Sequence, residues 1–265
     1  MTAEIHSTAV VHRDALVSDG CEVGPYCVVG PHVELGPGCR LHSSVVVDGH
    51  VRLGAGCEVF PFACIGEKSQ DLKYREDVTY VEVGEGTTIR EYVTIHAATE
   101  AGAVTRVGSG CHILAYCHVA HDCQVGEGVI ISNCTQLAGH VTVGDRAVFG
   151  GLAAVHQFVR IGTMAMVSAT AKVVQDVVPY CLVDGTPAAP VTVNRIGLER
   201  NGMDRERIAA ISRAFRVLFR SRMPLAAALE RLEQEFAGNA DVACMVAFAR
   251  AGRRGLARPR GRTRR

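Results

Sequence analysis

Four histidines, His118, His121, His140 and His156, fall between residues 118 and 156, and one of them has a carboxylate, Asp122, directly beside it. A histidine beside a carboxylate is a general base suited to neutral pH. Gly139, just ahead of His140, offers an unhindered backbone N–H of the kind that stabilises an oxyanion. A base and an oxyanion donor are parts of an acyl-transfer site. The cluster admits two other readings. The histidines are incidental surface groups, or they ligate zinc, for which the spacing lacks three clear ligands. Residues 121, 139 and 157 are eighteen apart, as are 122, 140 and 158, so the chemistry requires an element that returns to the same place every eighteen residues.

Such an element is written along most of the chain. Stepping by six from Ile5 to Val173 lands on Ile, Leu, Val or Phe at 26 of 29 positions; Asp71, Asp77 and Ala101 are the failures. Four residues after the apolar position stands a small or β-branched residue, such as Ala9, Cys21, Cys57, Thr87 or Thr135. Gly often follows the apolar residue, as in Val23-Gly24, Leu35-Gly36, Val125-Gly126 and Ile161-Gly162, where it is expected to supply an unusual φ. A period of six means a short flat strand and a tight turn. Three units close a triangular coil of eighteen residues, and coils stack at about 4.8 Å. One column then reads His121, Gly139, Gln157, and its neighbour Asp122, His140, Phe158. No Ser or Cys stands beside His121 in these columns, which favours direct transfer from a thioester to a substrate hydroxyl. Cys21, Cys27, Cys39, Cys57, Cys111, Cys117 and Cys123 occupy the small corner position and read as core fillers.

Residues 1–190 are therefore expected to form the prism, with loop excursions near 67–82 and 97–106, where the pattern turns polar. Helical signals follow over 191–252. Asp204 caps a segment with Ile208, Ile211 and Phe215 on one face, Pro224 opens a second, and Asp241 starts a third. Residues 253–265 are basic and aperiodic, and read as a disordered tail. The net charge of +1 hides an asymmetry: residues 195–265 carry 17 Arg and 7 acids, while residues 1–194 carry 11 basic and 20 acidic residues. A basic end of this kind suits an acidic partner. No apolar run reaches the roughly 18 residues of a membrane span. The N-terminus lacks a signal-peptide pattern, so a cytoplasmic location is expected.

Several motifs carry a more specific likeness: Gly66-Glu67, Gln70-Asp71-Leu72-Lys73-Tyr74, Val93-Thr94-Ile95-His96, His118-Val119-Ala120-His121-Asp122-Cys123, Leu137-Ala138-Gly139-His140-Val141, Ala154-Val155-His156-Gln157-Phe158 and Gln175-Asp176-Val177. With them the chain resembles the UDP-N-acetylglucosamine acyltransferases of lipid A synthesis. The resemblance implies a mainly β fold, a left-handed parallel β-helix followed by a small α-helical domain. It implies a homotrimer with active sites in clefts between prisms. The activity implied is transfer of a 3-hydroxyacyl chain from phosphopantetheinylated acyl carrier protein to the glucosamine 3-hydroxyl of UDP-N-acetylglucosamine, with no cofactor and no metal. Carried over, His121 is the base, Asp122 orients it, and Gly139 donates to the oxyanion. Asp71, Lys73, His118, His140 and Gln157 contact sugar nucleotide or acyl chain, Asn194 and Arg200 approach the uridine diphosphate, and Ala169, after Met166-Val167, limits acyl length. Acyl carrier protein and the UDP-sugar are the implied partners, with no nucleic acid and no stable membrane insertion. The chain departs from the family pattern at Ala97-Ala98, where Arg-Gly is usual, and at Ile196 and Asn201. An acetyl-CoA-dependent hexapeptide acetyltransferase and a 3-amino-sugar N-acyltransferase are the alternatives.

Overall fold

The computed structural model describes residues 2–252 and 254–259. The chain winds as a left-handed β-helix of three sheets with 11, 9 and 8 strands. Most strands are two residues long, and each pairs in parallel with the strand one coil on, as Val119 with Leu137 and Leu137 with Val155. The residue of each pair that recurs every six points inward. From Val23 onward these side chains fill a continuous apolar core that includes Leu41, Ile65, Ile95, Leu137 and Phe149. Ile5, in the first described coil, is exposed.

The small corner residue does more than save space. The thiols of Cys21, Cys27, Cys111 and Cys123 donate to the carbonyls of Gly36, His42, Gly126 and Ala138 in the next coil, at 2.7–3.2 Å. Thr87 and Thr135 make the same bond with a hydroxyl, to Gly108 and Gly150. Burial raises the pKa of these thiols, which keeps them protonated and donating.

The glycines after the apolar residue are not where φ is unusual. Gly24, Gly36, Gly126 and Gly162 have ordinary φ; what they lack is room. A Cβ on Gly162 would lie 2.5 Å from the Pro179 Cα, and one on Gly24 would lie 2.9 Å from the Leu41 carbonyl oxygen. Positive φ falls two residues further along each turn. Gly20, Gly38 and Gly56 hold it in some coils, but Tyr26, Asp122, His140 and Phe158 hold it in others.

Glu58 pairs with Thr88, and Thr88 with His112, separations of 30 and 24 instead of 18. The surplus is a multiple of six in both cases, so the core phase survives. It leaves the prism as loops 68–79 and 97–103. Both are shorter than the sequence pattern suggests, because Tyr80–Val83 and Val104–Val107 are four-residue strands paired in register.

The strand Ala189–Val193 crosses the expected boundary at 190 and runs antiparallel to Cys181–Asp184. Helices follow: α1 (Arg195–Arg200), α2 (Arg205–Arg220), α3 (Leu225–Glu235) and α4 (Ala240–Arg250). Asp204 caps α2, its carboxylate accepting the Arg207 N–H. Asn239, not Asp241, caps α4. Asp241 is buried and accepts two bonds from the Arg207 guanidinium at 2.8 Å. A second buried carboxylate, Asp176, takes the backbone N–H and Nε of Arg160 at 2.9 Å. The Arg160 Nη2 continues to the Phe248 carbonyl of α4, and the guanidinium lies over the Phe248 ring. The tail is ordered where it is described, against expectation. Leu256 and Ala257 are buried, and Asp176 bonds the backbone of Gly255 and Ala257 on either side. Residue 253 and residues 260–265 of the expected tail lie outside the described residues.

The two kinds of glycine predict different tolerances. Gly162→Ala must move backbone and is expected to cost at least about 2 kcal/mol, the scale of core overpacking. Gly38→Asn meets open space and a conformation Asn accepts, so a loss below about 1 kcal/mol is expected. Denaturant midpoints of the two variants provide the check.

Candidate active site

His121 and Asp122 occupy one turn of the second sheet's corner. Asp122 takes a left-handed φ of 61°, which folds its carboxylate back onto its neighbour. The His121 Nδ1 lies 2.8 Å from Asp122 Oδ2, and the two side chains are 12% and 11% exposed. Burial raises the pKa of the Asp122 carboxyl, but bonds from His121, from the Thr99 side chain and backbone, and the nearby His140 outweigh it and hold the carboxyl below its usual range. An ionised Asp122 takes the Nδ1 proton and leaves Nε2 as the bare, basic nitrogen.

The next coil sets what lies over that nitrogen. The His140 N–H donates to the His121 carbonyl, and the Phe158 N–H to the Gly139 carbonyl, so the columns 121–139–157 and 122–140–158 stack. Gly139 covers the Cε1–Nε2 edge of the imidazole so closely that any Cβ there would collide with the ring. Among the described residues no group accepts the Gly139 N–H. The His140 ring stacks on Phe158 at 4.4 Å and meets His121 edge-on at 5.2 Å.

The other expected residues divide. Asp71, from loop 68–79, reaches His121 and His140: each of the three brings one ligand atom within 4.8 Å of the others. The loop thus adds a third donor that the spacing along the chain does not show. Such a triad can hold a divalent cation, and one bound there would take the lone pair a base needs. Lys73 is exposed, its backbone N–H turned back onto the Asp71 carboxylate. Gln157 is exposed at the corner, one coil beyond Gly139. His118 sits in the sheet behind His121, its Nδ1 2.7 Å from the Thr94 hydroxyl and its ring edge-on to His96. The His156 Nδ1 faces the Gln157 carbonyl, away from the triad. Asn194 is buried with both ends of its amide engaged: Oδ1 accepts the Gly197 N–H as the cap of α1, and Nδ2 donates to Met164 O. It places α1, at whose end Arg200 is exposed. Ala169 is exposed at the corner after the first sheet, not at the His121 corner.

Residues 176–257 match the family described as Udp N-acetylglucosamine O-acyltransferase, domain 2. Residues 105–139 match the bacterial transferase hexapeptide repeat. An acyl-[acyl-carrier-protein]–UDP-N-acetylglucosamine O-acyltransferase of Anaeromyxobacter dehalogenans is 43% identical over 190 residues, 71% of this chain and 74% of the relative. The chain belongs to that acyltransferase family. LpxA from Acinetobacter baumannii superposes on this acyltransferase with a TM-score of 0.93 at 34% identity, covering 96% of this chain and 99% of that one. The UDP-N-acetylglucosamine acyltransferase of Francisella novicida gives 0.93 at 34%, covering 96% and 94%.

Four residues around the dyad have no role assigned by the motifs of this acyltransferase, His96 although it lies within one of them. Thr99 donates its N–H to Asp122 Oδ1 at 3.2 Å and sets its hydroxyl 3.0 Å from His121 Nδ1. The Ser69 hydroxyl lies 2.8 Å from that of Thr99. Thr105 accepts the Asp122 N–H. His96 is buried, and its Nδ1 has no partner among the described residues. Ser69 and Thr99 lie in the aperiodic loops, where no column argument applies.

Burial, together with the charges His96 and His121 would carry, pushes the His118 pKa down to about 4. An unfolded histidine titrates near 6.5. Below that pH the unfolded chain gains a proton that folded His118 refuses, so stability falls until the folded group also protonates near pH 4. The loss should be about 2 kcal/mol after allowance for solvent screening. Urea midpoints of His118→Gln are expected to fall less between pH 6.5 and 4 than those of the wild type.

Proposed function

We propose that the chain transfers a 3-hydroxyacyl group from acyl carrier protein to the 3-hydroxyl of UDP-N-acetylglucosamine, as the first step of lipid A assembly, and that His121 is the base. The observation that carries this reading is the buried His121–Asp122 pair, with its bare Nε2 edge beneath an uncommitted Gly139 N–H. The sugar hydroxyl gives its proton to His121 Nε2 as its oxygen attacks the thioester carbonyl. The Gly139 N–H supports the oxyanion, while Asp122 supports the imidazolium that forms. The tetrahedral intermediate collapses with loss of the phosphopantetheine thiolate, which takes the proton back from His121. The atoms balance without a cofactor.

Asp71 and His140 flank this point and suit sugar hydroxyls; Lys73, His118 and Gln157 are assigned to the sugar nucleotide or acyl chain by the family motifs. Arg200 suits the diphosphate, and Asn194 acts by holding its helix. The basic groove of about 660 Å³ along α2, lined by Arg195, Arg205, Arg213, Arg216 and Arg220, suits an acidic protein carrier. Ala169 and His121 stand at different corners, so a cleft containing both requires a second copy of the chain. The exposed ladder Phe62–Tyr92–Tyr116, stacked at 5.0 and 4.8 Å on the Ala169 corner, offers the apolar surface for that packing in a homotrimer. No described helix is long and apolar enough to cross a membrane; we place the enzyme in the cytoplasm, with its carrier and nucleotide substrates.

Purified protein assayed with UDP-N-acetylglucosamine and a panel of 3-hydroxyacyl carrier proteins tests the reading; activity only with acetyl-CoA, or only with a 3-amino-sugar acceptor, would replace it. His121→Ala is expected to remain folded and to lower turnover roughly 10²–10⁴-fold, the usual worth of a positioned base. Near-normal turnover would remove His121 from that role. Ala169→Gly should shift the donor ranking toward longer chains and Ala169→Met toward shorter ones, by roughly 10–200-fold per methylene at most. An unchanged ranking in both variants, with the fold intact, would place the length limit elsewhere.

A further inference from the structure

The two loops that leave the prism meet at the catalytic carboxylate, and they meet through hydroxyls. Ser69 and Thr99 are 8% and 7% exposed, an unusual depth for loop residues, and a buried hydroxyl must find partners. Their partners are each other and the dyad. The Asp71 N–H lies 3.2 Å from Ser69 Oγ, Ser69 Oγ 2.8 Å from Thr99 Oγ1, and Thr99 Oγ1 3.0 Å from His121 Nδ1. The Thr99 N–H holds Asp122 Oδ1 at 3.2 Å, while Asp122 Oδ2 lies 2.8 Å from His121 Nδ1.

The His121 Nδ1–H lies between two acceptors, Asp122 Oδ2 at 2.8 Å and Thr99 Oγ1 at 3.0 Å. An ionised carboxylate only accepts, and a hydroxyl oxygen can accept as well as donate. On its other side the Thr99 hydroxyl meets Ser69 Oγ, and Ser69 Oγ accepts the Asp71 N–H. Thr99 thus holds the dyad twice, by its N–H on Asp122 Oδ1 and by its hydroxyl at His121 Nδ1. The far end of the chain of contacts belongs to the residue whose side chain stands beside His121 and His140.

We propose that Thr99 is a positioning residue for the base, and that through Ser69 it couples the substrate-facing loop of Asp71 to the His121–Asp122 pair. The Thr99 hydroxyl and the Asp122 carboxylate together hold the Nδ1–H tautomer, and Nε2 stays bare and aimed at the acceptor hydroxyl. A loop pulled out of place loosens the base as well as the sugar contact. This rests on the reading of His121 as the base.

The test uses the full-length enzyme with Thr99→Val, Thr99→Ser, Ser69→Ala and the Ser69→Ala/Thr99→Val pair, with His121→Ala as reference. Thr99→Val is expected to lower kcat about tenfold or more, the usual worth of a group that orients a catalytic side chain, with KM for the sugar nucleotide within about twofold. Thr99→Ser should restore most of the turnover. Ser69→Ala should raise KM for the sugar nucleotide as well as lower kcat, and the double variant should have the kcat of Thr99→Val alone, because both break one chain. Imidazole 15N spectra should show His121 as the Nδ1–H tautomer in the wild type and as a tautomer mixture in Thr99→Val. Wild-type kcat and unchanged 15N shifts in Thr99→Val would overturn the proposal. So would a Thr99→Ser variant as impaired as Thr99→Val, or strictly additive losses in the double variant. If Thr99→Val does not fold, Thr99→Ser and Ser69→Ala still decide between coupling and packing. An active His121→Ala would sink the base reading instead, and the 15N signature would then still report whether Thr99 positions the ring.

Discussion

Parallel backbone hydrogen bonding between coils, at a step of eighteen residues, is the constraint on which this protein depends. Most strands have only two residues with which to hold a neighbour, so the prism is stable only as a stack. The stacking is close enough that Gly24 and Gly162 cannot carry a Cβ, and regular enough that the His140 N–H finds the His121 carbonyl. A catalytic column follows from it directly. Gly139 is brought onto the His121 ring by the same step that brings Leu137 onto Val119. The site needs no long-range folding event of its own, because its alignment is the alignment of the core.

That periodicity is also why so much of the site is legible in the sequence. Once the six-residue phase is known, residues 121, 139 and 157 must share a corner, and the dyad is two adjacent letters. Legibility ends where the period does. Ser69 and Thr99 lie in loops, and nothing in their spacing tells which hydroxyl reaches the carboxylate. Asp71 was found by motif, yet its closeness to His140 needed the loop's path. The glycines show the opposite hazard: a regular pattern with a plausible cause, positive φ, that belongs to the residue two places on. In the helical end Asp241 reads as a cap and is instead the buried partner of Arg207. A cap and an ion-pair carboxylate look alike until the facing helix is known.

The helical end is held to the prism by charge as well as by apolar packing. The Asp176 carboxylate, almost fully buried, is compensated by two Arg160 donors, and the residue's own backbone N–H and C=O pair with Gly255 and Ala257. An isolated carboxylate at that depth would be costly; with its partner Arg160 this residue joins three parts of the chain, the last regular coil, α4 and residues 254–257. Burying such a pair adds less net stability than equivalent apolar packing, but it admits only one arrangement of its partners. The arrangement it selects is the one that sets α4 against the end of the prism.

The corner thiols have a use that their packing does not suggest. They stand at Cys21, Cys27, Cys39, Cys57, Cys111, Cys117 and Cys123, all buried, and end there; the coils after Cys123 place Val, Thr or Ala at the same corner, as at Val129, Thr135, Ala147 and Ala165. A solenoid opens by fraying from an end, coil by coil, and not all at once. A thiol on each of several successive coils is then a graded set of clocks. The order in which they become alkylated under native conditions records how far from the N-terminal end each opening has travelled.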